Sequence, residues 1–200
     1  MSIALTQPGS AAGAPAPAGA ASSDNILIAR IASGDRLAMQ TLFARHRVSV
    51  YRWVVRIVRD EALAEDLLSE VFLDVWRQAA KFESRASVST WLLAIARYKA
   101  LSAQRRRADV ELDEEVVATI ADPADDPERA LQKKDQGELI RRALAKLSPE
   151  HSEIIDLVYY HGKSVKEVAE VVDIPEATVK TRMFYARKNL ADMVIGMTRH

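Results

Sequence analysis

Apolar residues recur at helical spacing from Asp24 to Arg107, and this stretch contains no proline and one glycine, Gly34. An apolar residue every three or four positions gives a helix one face that must be buried against a neighbour. We therefore expect several helices packed into one bundle. The chain has 48% hydrophobic residues, enough to form packed cores. Since no strand pattern and no fixed repeat is found, the predicted fold class is all-α.

The composition divides the chain into two helical domains with a tail and a linker. Residues 1–23 are rich in Ala, Gly, Pro and Ser, which predicts a disordered tail. Between Ala108 and Glu128, nine acidic residues and two prolines occur without lysine or arginine, and 108–136 is therefore predicted to be an acidic linker. Helical periodicity resumes near Gly137 and breaks at Ser148-Pro149, where a new helix can start. The predicted domains are 24–107 and 137–200.

Charge and residue content exclude several classes of protein. The 28 basic and 28 acidic residues are sorted into blocks of one sign, so the zero net charge does not exclude nucleic acid binding. The lack of cysteine excludes disulfides and thiolate metal sites. No apolar run approaches the roughly 18 residues that cross a bilayer, and no secretory signal is seen, so we expect a cytoplasmic protein without membrane insertion.

No pattern of an enzyme is found either. The four histidines, at 46, 151, 161 and 200, lack metal-site spacing. There is no glycine-rich phosphate loop and no serine in a nucleophile motif. We expect no catalytic activity and no cofactor.

The second domain carries the signature of a helix-turn-helix. Ser164-Val-Lys-Glu167 fits a capping box, which predicts a helix start just after Gly162. Asp173-Ile-Pro175 should end that helix, since aspartate tolerates left-handed geometry and the residue before proline avoids the helical region. A second helix is predicted from Glu176 to Leu190.

The second helix of this motif has a core stripe and a solvent face. The predicted core stripe is Val179, Met183, Ala186 and Leu190. The opposite face holds Ala177, Thr181, Phe184, Tyr185 and Lys188, with Lys180, Arg182 and Arg187 on its flanks. Hydroxyls and aromatic rings between cations suit the major groove of DNA. The alternatives are that the two aromatics pack on a neighbouring helix and that the basic face is only solvated.

The first domain contains an acidic helix face. From Glu61 to Gln78 the apolar stripe is Leu63, Leu67, Val71 and Val75, broadened by Leu68, Phe72 and Trp76. The other face carries Glu65, Asp66, Ser69, Glu70 and Asp74. Such a face is either a solvated surface or a docking site for a basic partner.

A basic region follows this helix. Lys81 to Val88 is a polar loop with two basic residues and an aromatic, and it leads into a helix with Trp91, Tyr98 and the run Arg105 to Arg107. From Arg97 to Arg107 there are five basic and no acidic residues. Cations interleaved with aromatics are typical of single-strand DNA surfaces. The alternative for Trp91 is a core position, and we expect it to be mostly buried.

Three motifs in this order resemble the extracytoplasmic-function (ECF) group of bacterial sigma factors, over roughly Asp24 to Met193. Ala64 to Phe72, with Trp76, is similar to the family's helix that binds the clamp helices of the polymerase β′ subunit. Ser89 to Arg97 resembles the helix after the loop that captures a flipped base of the minus-ten element. The family's domain that reads the minus-thirty-five element is similar to three segments of this chain, namely Leu147 to Ile155, Gly162 to Val168 and Ile174 to Arg182.

The residues and the resemblance together predict three sets of site residues. Those expected at polymerase are Glu65, Asp66, Leu67, Ser69, Glu70, Phe72 and Leu73. Those expected at minus-ten DNA are Lys81, Phe82, Ser84, Arg85, Ser87, Trp91, Arg97, Lys99 and Arg105. Those expected at minus-thirty-five DNA are Ser164, Thr178, Lys180, Thr181, Arg182, Phe184, Tyr185, Arg187 and Lys188.

The resemblance implies a function and partners. The chain would bind core RNA polymerase, at the β′ clamp helices and the β subunit, and direct promoter recognition, melting and initiation. It would be held by an anti-sigma factor, and its linker would run along polymerase near the RNA exit path. The alternative is a stand-alone helix-turn-helix regulator that binds duplex DNA without polymerase, which leaves the acidic face and the basic loop without a role.

The sequence departs from the family pattern at four positions. Ser69 stands where glutamine is common, Tyr98 where asparagine is common, and Ser102 where aspartate is common. Asp173 replaces the usual turn glycine. Promoter preference therefore cannot be copied from relatives.

Overall fold

The computed structural model describes residues 18–111 and 143–198. The first domain consists of α1 (Ala18–Ala32), α2 (Arg36–Val58), α3 (Glu61–Gln78), a 3-10 turn (Ala79–Lys81) and α4 (Val88–Glu111). The second consists of a helical turn at 143–145 and the helices α5 (Pro149–Tyr159), α6 (Val165–Val172) and α7 (Glu176–Thr198). No strand occurs in these two ranges, and the all-α prediction is confirmed.

Aspartates start two helices of the first domain. The Asp35 carboxylate accepts hydrogen bonds from the backbone N–H groups of Leu37 and Ala38, and Asp60 accepts one from Leu63. Each carboxylate satisfies donors that a helix start leaves free. Asp60 explains why α3 begins at Glu61, the predicted boundary.

The core of the first domain lies between α2, α3 and α4. Leu67, Val71 and Val75 of α3 are fully buried, as the periodicity predicts. Trp53 of α2 is buried as well, and its indole N–H donates to the Leu93 carbonyl of α4 at 3.2 Å. This hydrogen bond satisfies the only polar group of the ring inside the core.

Two helices extend past the predicted domain bounds. α1 begins at Ala18, inside the segment assigned to the tail, where Ala-Gly-Ala-Ala-Ser-Ser is rich in the residue of highest helix propensity. α4 continues through Ala108 to Glu111, because no proline or glycine interrupts it there. Residues 1–17 and 112–142, with most of the predicted linker, lie outside the described residues.

The helix-turn-helix has the predicted local structure. Ser164 Oγ accepts a hydrogen bond from the Glu167 N–H at 3.3 Å, and the Glu167 carboxylate accepts one from the Ser164 N–H at 3.1 Å. This is the predicted capping box. Asp173 ends α6 in the left-handed conformation at φ 56°, and α7 starts at Glu176. α7 extends eight residues past the predicted end at Leu190, since no proline follows.

The two domains pack against each other, which the sequence did not predict. Ile154 and Leu157 of α5 and Val168 of α6 belong to the same buried apolar cluster as Val88 and Leu92 of α4. A smaller cluster lies within the second domain. Its members are Leu147, Ile155 and Ala186, with Leu144, Leu190 and Met193 packed against them. α5 and α6 therefore lie between the first domain and α7.

The left-handed turn at Asp173 yields a stability prediction. Glycine adopts this conformation without the steric cost of a Cβ, so Asp173→Gly should raise the free energy of unfolding by about 0.5–1 kcal/mol. Asp173→Val should lower it by at least about 1 kcal/mol, because a β-branched residue is strained there. Urea denaturation measures both.

Glu170→Gly provides the control, since the same residue is introduced three positions earlier, on the exposed face of α6. It should lower stability by about 1 kcal/mol. A destabilising effect of Asp173→Gly would contradict the interpretation.

Candidate polymerase and promoter interfaces

The acidic face of α3 is exposed except at Asp74, which is partly buried. Glu65, Asp66, Ser69 and Glu70 are exposed, and Leu73 beside them is 47% exposed. Leu67 and Phe72, which belong to the same predicted set, are buried in the core and cannot touch a partner directly. Both side chains instead pack α3 into the core, behind the exposed carboxylates.

Lys99 faces this acidic helix. Its ammonium lies 2.8 Å from Asp74 and 3.2 Å from Glu70, and its side chain is 16% exposed. Burial lowers the pKa of Lys99, but the hydrogen bonds to both carboxylates outweigh it and raise the pKa. One predicted minus-ten cation and one predicted polymerase carboxylate are thus ion-paired with each other, and Lys99 serves to join α4 to α3.

The loop between the 3-10 turn and α4 presents the predicted minus-ten residues Ser84 and Arg85 to solvent. Ser84 adopts the left-handed conformation at φ 55°, which is unusual for a residue with a Cβ. Phe82 packs on Trp91, with ring centroids 4.8 Å apart and both rings partly buried. Lys81 and Arg105 are exposed at the two ends of this surface.

The second domain covers the start of α4 with a cluster of polar side chains. Ser87 and Thr90 donate hydrogen bonds to the same oxygen of the Glu167 carboxylate, at 3.1 and 2.8 Å. The Lys163 ammonium donates to Ser89 at 2.6 Å and to Thr90 at 3.1 Å. Thr90 is 1% and Lys163 8% exposed. Burial lowers the pKa of Lys163, and the charge of Glu167 opposes this effect.

Arg97 is also taken up by the second domain. Its guanidinium donates to both oxygens of Glu153 on α5, at 2.8 and 3.2 Å. A second ion pair joins Arg56 of α2 to the buried Asp156 of α5. Of the predicted minus-ten residues, Ser87, Arg97 and Lys99 are thus bonded to other elements of the chain, and Arg85 forms an ion pair with its neighbour Glu83 at 2.6 Å.

The solvent face of α7 is as predicted. Phe184 and Tyr185 are 64% and 50% exposed, their rings in an edge-to-face contact at 5.5 Å. Neither packs on a neighbouring helix, and Ala177, Lys180, Thr181 and Lys188 are exposed as well. A shallow groove along this face is lined by Lys180, Met183, Phe184, Arg187 and Lys188.

Other residues of the predicted minus-thirty-five set are partly buried or bonded within the chain. Ser164 is used in the capping box, and Thr178 and Arg182 are partly buried. Arg187 donates from Nε to the Tyr159 hydroxyl of α5 at 3.0 Å, with its guanidinium 5.8 Å from that ring. The exposed cationic groups on this side of the domain are therefore Lys180, Arg187 and Lys188.

The predicted sets of site residues left out two side chains at these surfaces. Tyr98 is 70% exposed and shares one face of α4 with Trp91 and Arg105, seven positions away on either side. Tyr159, which holds Arg187, lies 28 positions from it in the chain. The seven-residue spacing was a usable signal for Tyr98, whereas no pattern in the sequence links Tyr159 to Arg187.

No metal site or membrane span is found within 18–111 and 143–198. No group of three or more His, Asp or Glu side chains there could hold a metal ion. No helix of these residues is long and apolar enough to cross a membrane.

Two family models match the chain, one per domain. Sigma-70 region 2 matches residues 42–110, and Sigma-70, region 4 matches residues 137–190. The ECF RNA polymerase sigma factor SigK of Mycobacterium tuberculosis is 31% identical over 173 residues, which cover 84% of this chain and 92% of SigK. The chain belongs to the ECF sigma factors. A SigK from a further Mycobacterium species is 29% identical over 162 residues, covering 80% of this chain and 84% of its own.

Two solved structures have the same fold. CnrH, solved with the cytosolic domain of CnrY, has a TM-score of 0.63 and 24% identity, over 87% of this chain and 98% of its own. The sigma factor RpoE of Bartonella quintana, solved with the anti-sigma factor NepR, has a TM-score of 0.64 and 22% identity. The match covers 78% of this chain and 95% of the RpoE chain. This ECF sigma factor directs RNA polymerase to promoters and initiation of transcription, as members of its family do, and sigma factors are in general not enzymes.

The Glu167 carboxylate yields a pH prediction. Burial would raise its pKa, but hydrogen bonds from the Ser164 N–H and the Thr90 hydroxyl, and the charge of Lys163, lower the pKa to about 2. A depressed pKa stabilises the folded protein above the ordinary value of about 4.5, and this stabilisation is lost as the pH falls to about 2.

Glu167→Gln should therefore reduce the free energy of unfolding at pH 7 by about 1–2 kcal/mol, allowing for solvent screening of a partly exposed group. The difference from wild type should shrink between pH 5 and pH 2, as measured by urea denaturation across this range. Glu150→Gln, on the exposed start of α5, should show no such pH dependence. If the difference in unfolding free energy between wild type and Glu167→Gln stayed constant over this pH range, the lowered pKa of Glu167 would be contradicted.

Proposed function

We propose that this ECF sigma factor docks on core RNA polymerase with the acidic face of α3, reads the minus-thirty-five element with α7, and holds the minus-ten strand with the 82–87 loop and α4. The observation that carries the proposal is that α3, α7 and α4 with the 82–87 loop each expose charged or aromatic side chains outside the core. We further propose that it catalyses no reaction itself and acts in the cytoplasm.

The acidic face of α3 supports a contact with a basic surface of polymerase, expected at the β′ clamp helices. Glu65, Asp66 and Glu70 are on consecutive turns, and the exposed Leu73 adds apolar area. Charges of one sign steer a partner of opposite sign and fix its register. Against the stand-alone regulator, this face and the family membership both favour polymerase binding.

The recognition face of α7 supports binding in the major groove. Thr181 and Lys180 can reach base edges, and the rings of Phe184 and Tyr185 can contact thymine methyls. Arg187 and Lys188 on the flank suit the phosphates, which fix position without reading sequence.

The loop and the exposed side of α4 support a role in melting. Arg85 and Arg105 can hold the DNA backbone, and the loop before Trp91 can receive an unstacked base. We add Tyr98 to the predicted set, since an exposed ring on the same side of α4 provides a face on which a base can stack.

Regulation by an anti-sigma factor is part of the proposal. RpoE of Bartonella quintana was solved bound to such a protein, NepR. The same exposed faces of α3 and α7 would be available to a partner of this kind on this chain.

Asp66 tests the polymerase contact. The wild-type protein should give start-site-specific transcripts when added to core polymerase and promoter templates from its own genome. Asp66→Arg should abolish stoichiometric polymerase binding in a pull-down, because it places a cation against a basic surface.

Asp192→Arg is the matched control, since it makes the same charge change on an exposed position of α7. It should bind polymerase like wild type. Unimpaired polymerase binding by Asp66→Arg would contradict the docking face, and the absence of transcripts from every template would contradict the function as a whole.

The recognition face of α7 is tested by two substitutions with different expected signatures. Thr181→Val should weaken binding to the cognate minus-thirty-five duplex by about 1–3 kcal/mol and relax base preference at one position. Arg187→Ala should weaken binding to all sequences alike. It should also reduce the slope of the logarithm of the binding constant against the logarithm of the salt concentration by about 1. Fluorescence anisotropy titrations at several salt concentrations separate the two. Equal loss on every sequence for Thr181→Val would show that it reads no base.

A further inference from the structure

We propose that the start of the acidic linker, residues 112–120, packs on the solvent side of α2 in the free protein. The surface that it would cover, called here the α2 stripe, consists of Val48, Arg52, Val55 and Arg59. None of these four residues belongs to the sets proposed above for polymerase or DNA. The proposed function therefore leaves this surface without a partner.

The α2 stripe combines aligned apolar side chains with exposed cations. Val48 is 53% exposed and Val55 is partly buried. The intervals of four, three and four residues from Val48 to Arg59 place the stripe on one side of α2. Ala44 and Leu37 continue this side towards the start of the helix, and Leu37 is 69% exposed. Single exposed aliphatic residues are common on protein surfaces, whereas an aligned series is typical of an interaction surface.

The two arginines of the stripe have no carboxylate partner within residues 18–111 and 143–198. In this part of the chain, no ion pair and no side-chain hydrogen bond involves the guanidinium of Arg52 or Arg59. By contrast, Arg56 of the same helix is paired with Asp156. The α2 stripe therefore suits an apolar segment that carries carboxylates.

The sequence after α4 has the complementary pattern. Leu112, Val116 and Ile120 recur every four residues. Positions four apart lie on the same side of a helix and also of an extended chain, so the three side chains form one apolar edge in either conformation. Three carboxylates, at 113–115, lie between Leu112 and Val116, and 112–120 contains no lysine or arginine.

The linker leaves the first domain close to the α2 stripe. The Gln104 side chain of α4 donates a hydrogen bond to the Ile57 carbonyl at the end of α2. Leu112 follows Gln104 by eight residues, about 12 Å along a helix, and Val48 precedes the end of α2 by ten residues, about 15 Å. The nine residues 112–120 can extend over about 30 Å. They are long enough to turn back along α2 as far as Val48.

A second copy of the chain fits the α2 stripe less well. In a two-fold dimer through α2, the arginines of one copy would lie against the same arginines of the other. Like charges that face each other across an interface repel, whereas the linker supplies carboxylates. The charge of the stripe therefore favours the linker segment over a second copy.

This contact would shorten the connection between the two domains. Residues 121–142 alone would bridge them, and a stretch of that length extends over at most about 70 Å, compared with about 100 Å for 112–142. A partner that binds residues 112–120 would have to compete with the α2 stripe for them.

Proteolysis of the linker tests the contact in the full chain. A glutamate-specific protease should cleave after Glu115 at least about tenfold more slowly in the wild-type protein than in a synthetic peptide of residues 108–130, because a packed segment must detach before it is cleaved. Arg52→Glu should speed this cleavage about fivefold or more, because it places a carboxylate against those of the linker. Arg77→Glu is the matched control, with the same charge change at an exposed position of α3, and should leave the rate unchanged.

The apolar part of the contact has its own pair of variants. Val48→Ser should also speed cleavage after Glu115, whereas Ile26→Ser, at a 60% exposed position of α1, should not. Cleavage after Glu128, in the same linker but beyond the packed segment, should proceed at the same rate in all four variants. Mass spectrometry identifies the fragments, and circular dichroism verifies that each variant keeps its helix content.

Three results would overturn the inference. The first is cleavage after Glu115 at the same rate in the wild-type protein and the peptide. The second is an equal effect of Arg52→Glu and Arg77→Glu on that rate. The third is protection of Glu115 that increases with protein concentration as dimers form in analytical ultracentrifugation, which would show that a second copy covers the stripe.

Discussion

The buried side chain of Trp53 contacts both domains, and their arrangement depends on it. Its indole N–H must find an acceptor inside the core, and it does so at the Leu93 carbonyl, which fixes α2 to α4. The other side of the ring meets His161 of the second domain edge-on, with centroids 5.7 Å apart. Since α4 carries the surface proposed for the minus-ten strand, this hydrogen bond helps to fix the position of that surface.

The parts of the fold that the sequence predicted well depend on neighbours in the chain. The capping box joins Ser164 to Glu167, and the left-handed residue Asp173 donates its N–H to the Ala169 carbonyl. Each pair lies within four positions in the chain, and both features are present as expected. The solvent face of α7 was predicted for the same reason, because helical periodicity assigns each residue a direction. A helix that packs on one side only obeys such a pattern closely.

The parts that could not be predicted involve residues far apart in sequence. Arg97 and Glu153 are 56 positions apart, and no local pattern distinguishes an arginine that meets DNA from one that meets its own chain. Lys99 was assigned to DNA for its charge, yet carboxylates of α3 neutralise it. Periodicity also could not reveal that α4 has neighbours on two sides, one of them from the other domain.

Arg187 is ordered before any DNA arrives. The Tyr159 hydroxyl accepts from its Nε and the ring lies beside its guanidinium, so its rotamer is selected by folding. A free surface arginine loses about 0.5–1.5 kcal/mol of side-chain freedom when it is immobilised at an interface. At the proposed phosphate contact much of that loss has already occurred. Tyr159, on a different helix from the recognition face, thus lowers the entropic cost of the proposed phosphate contact.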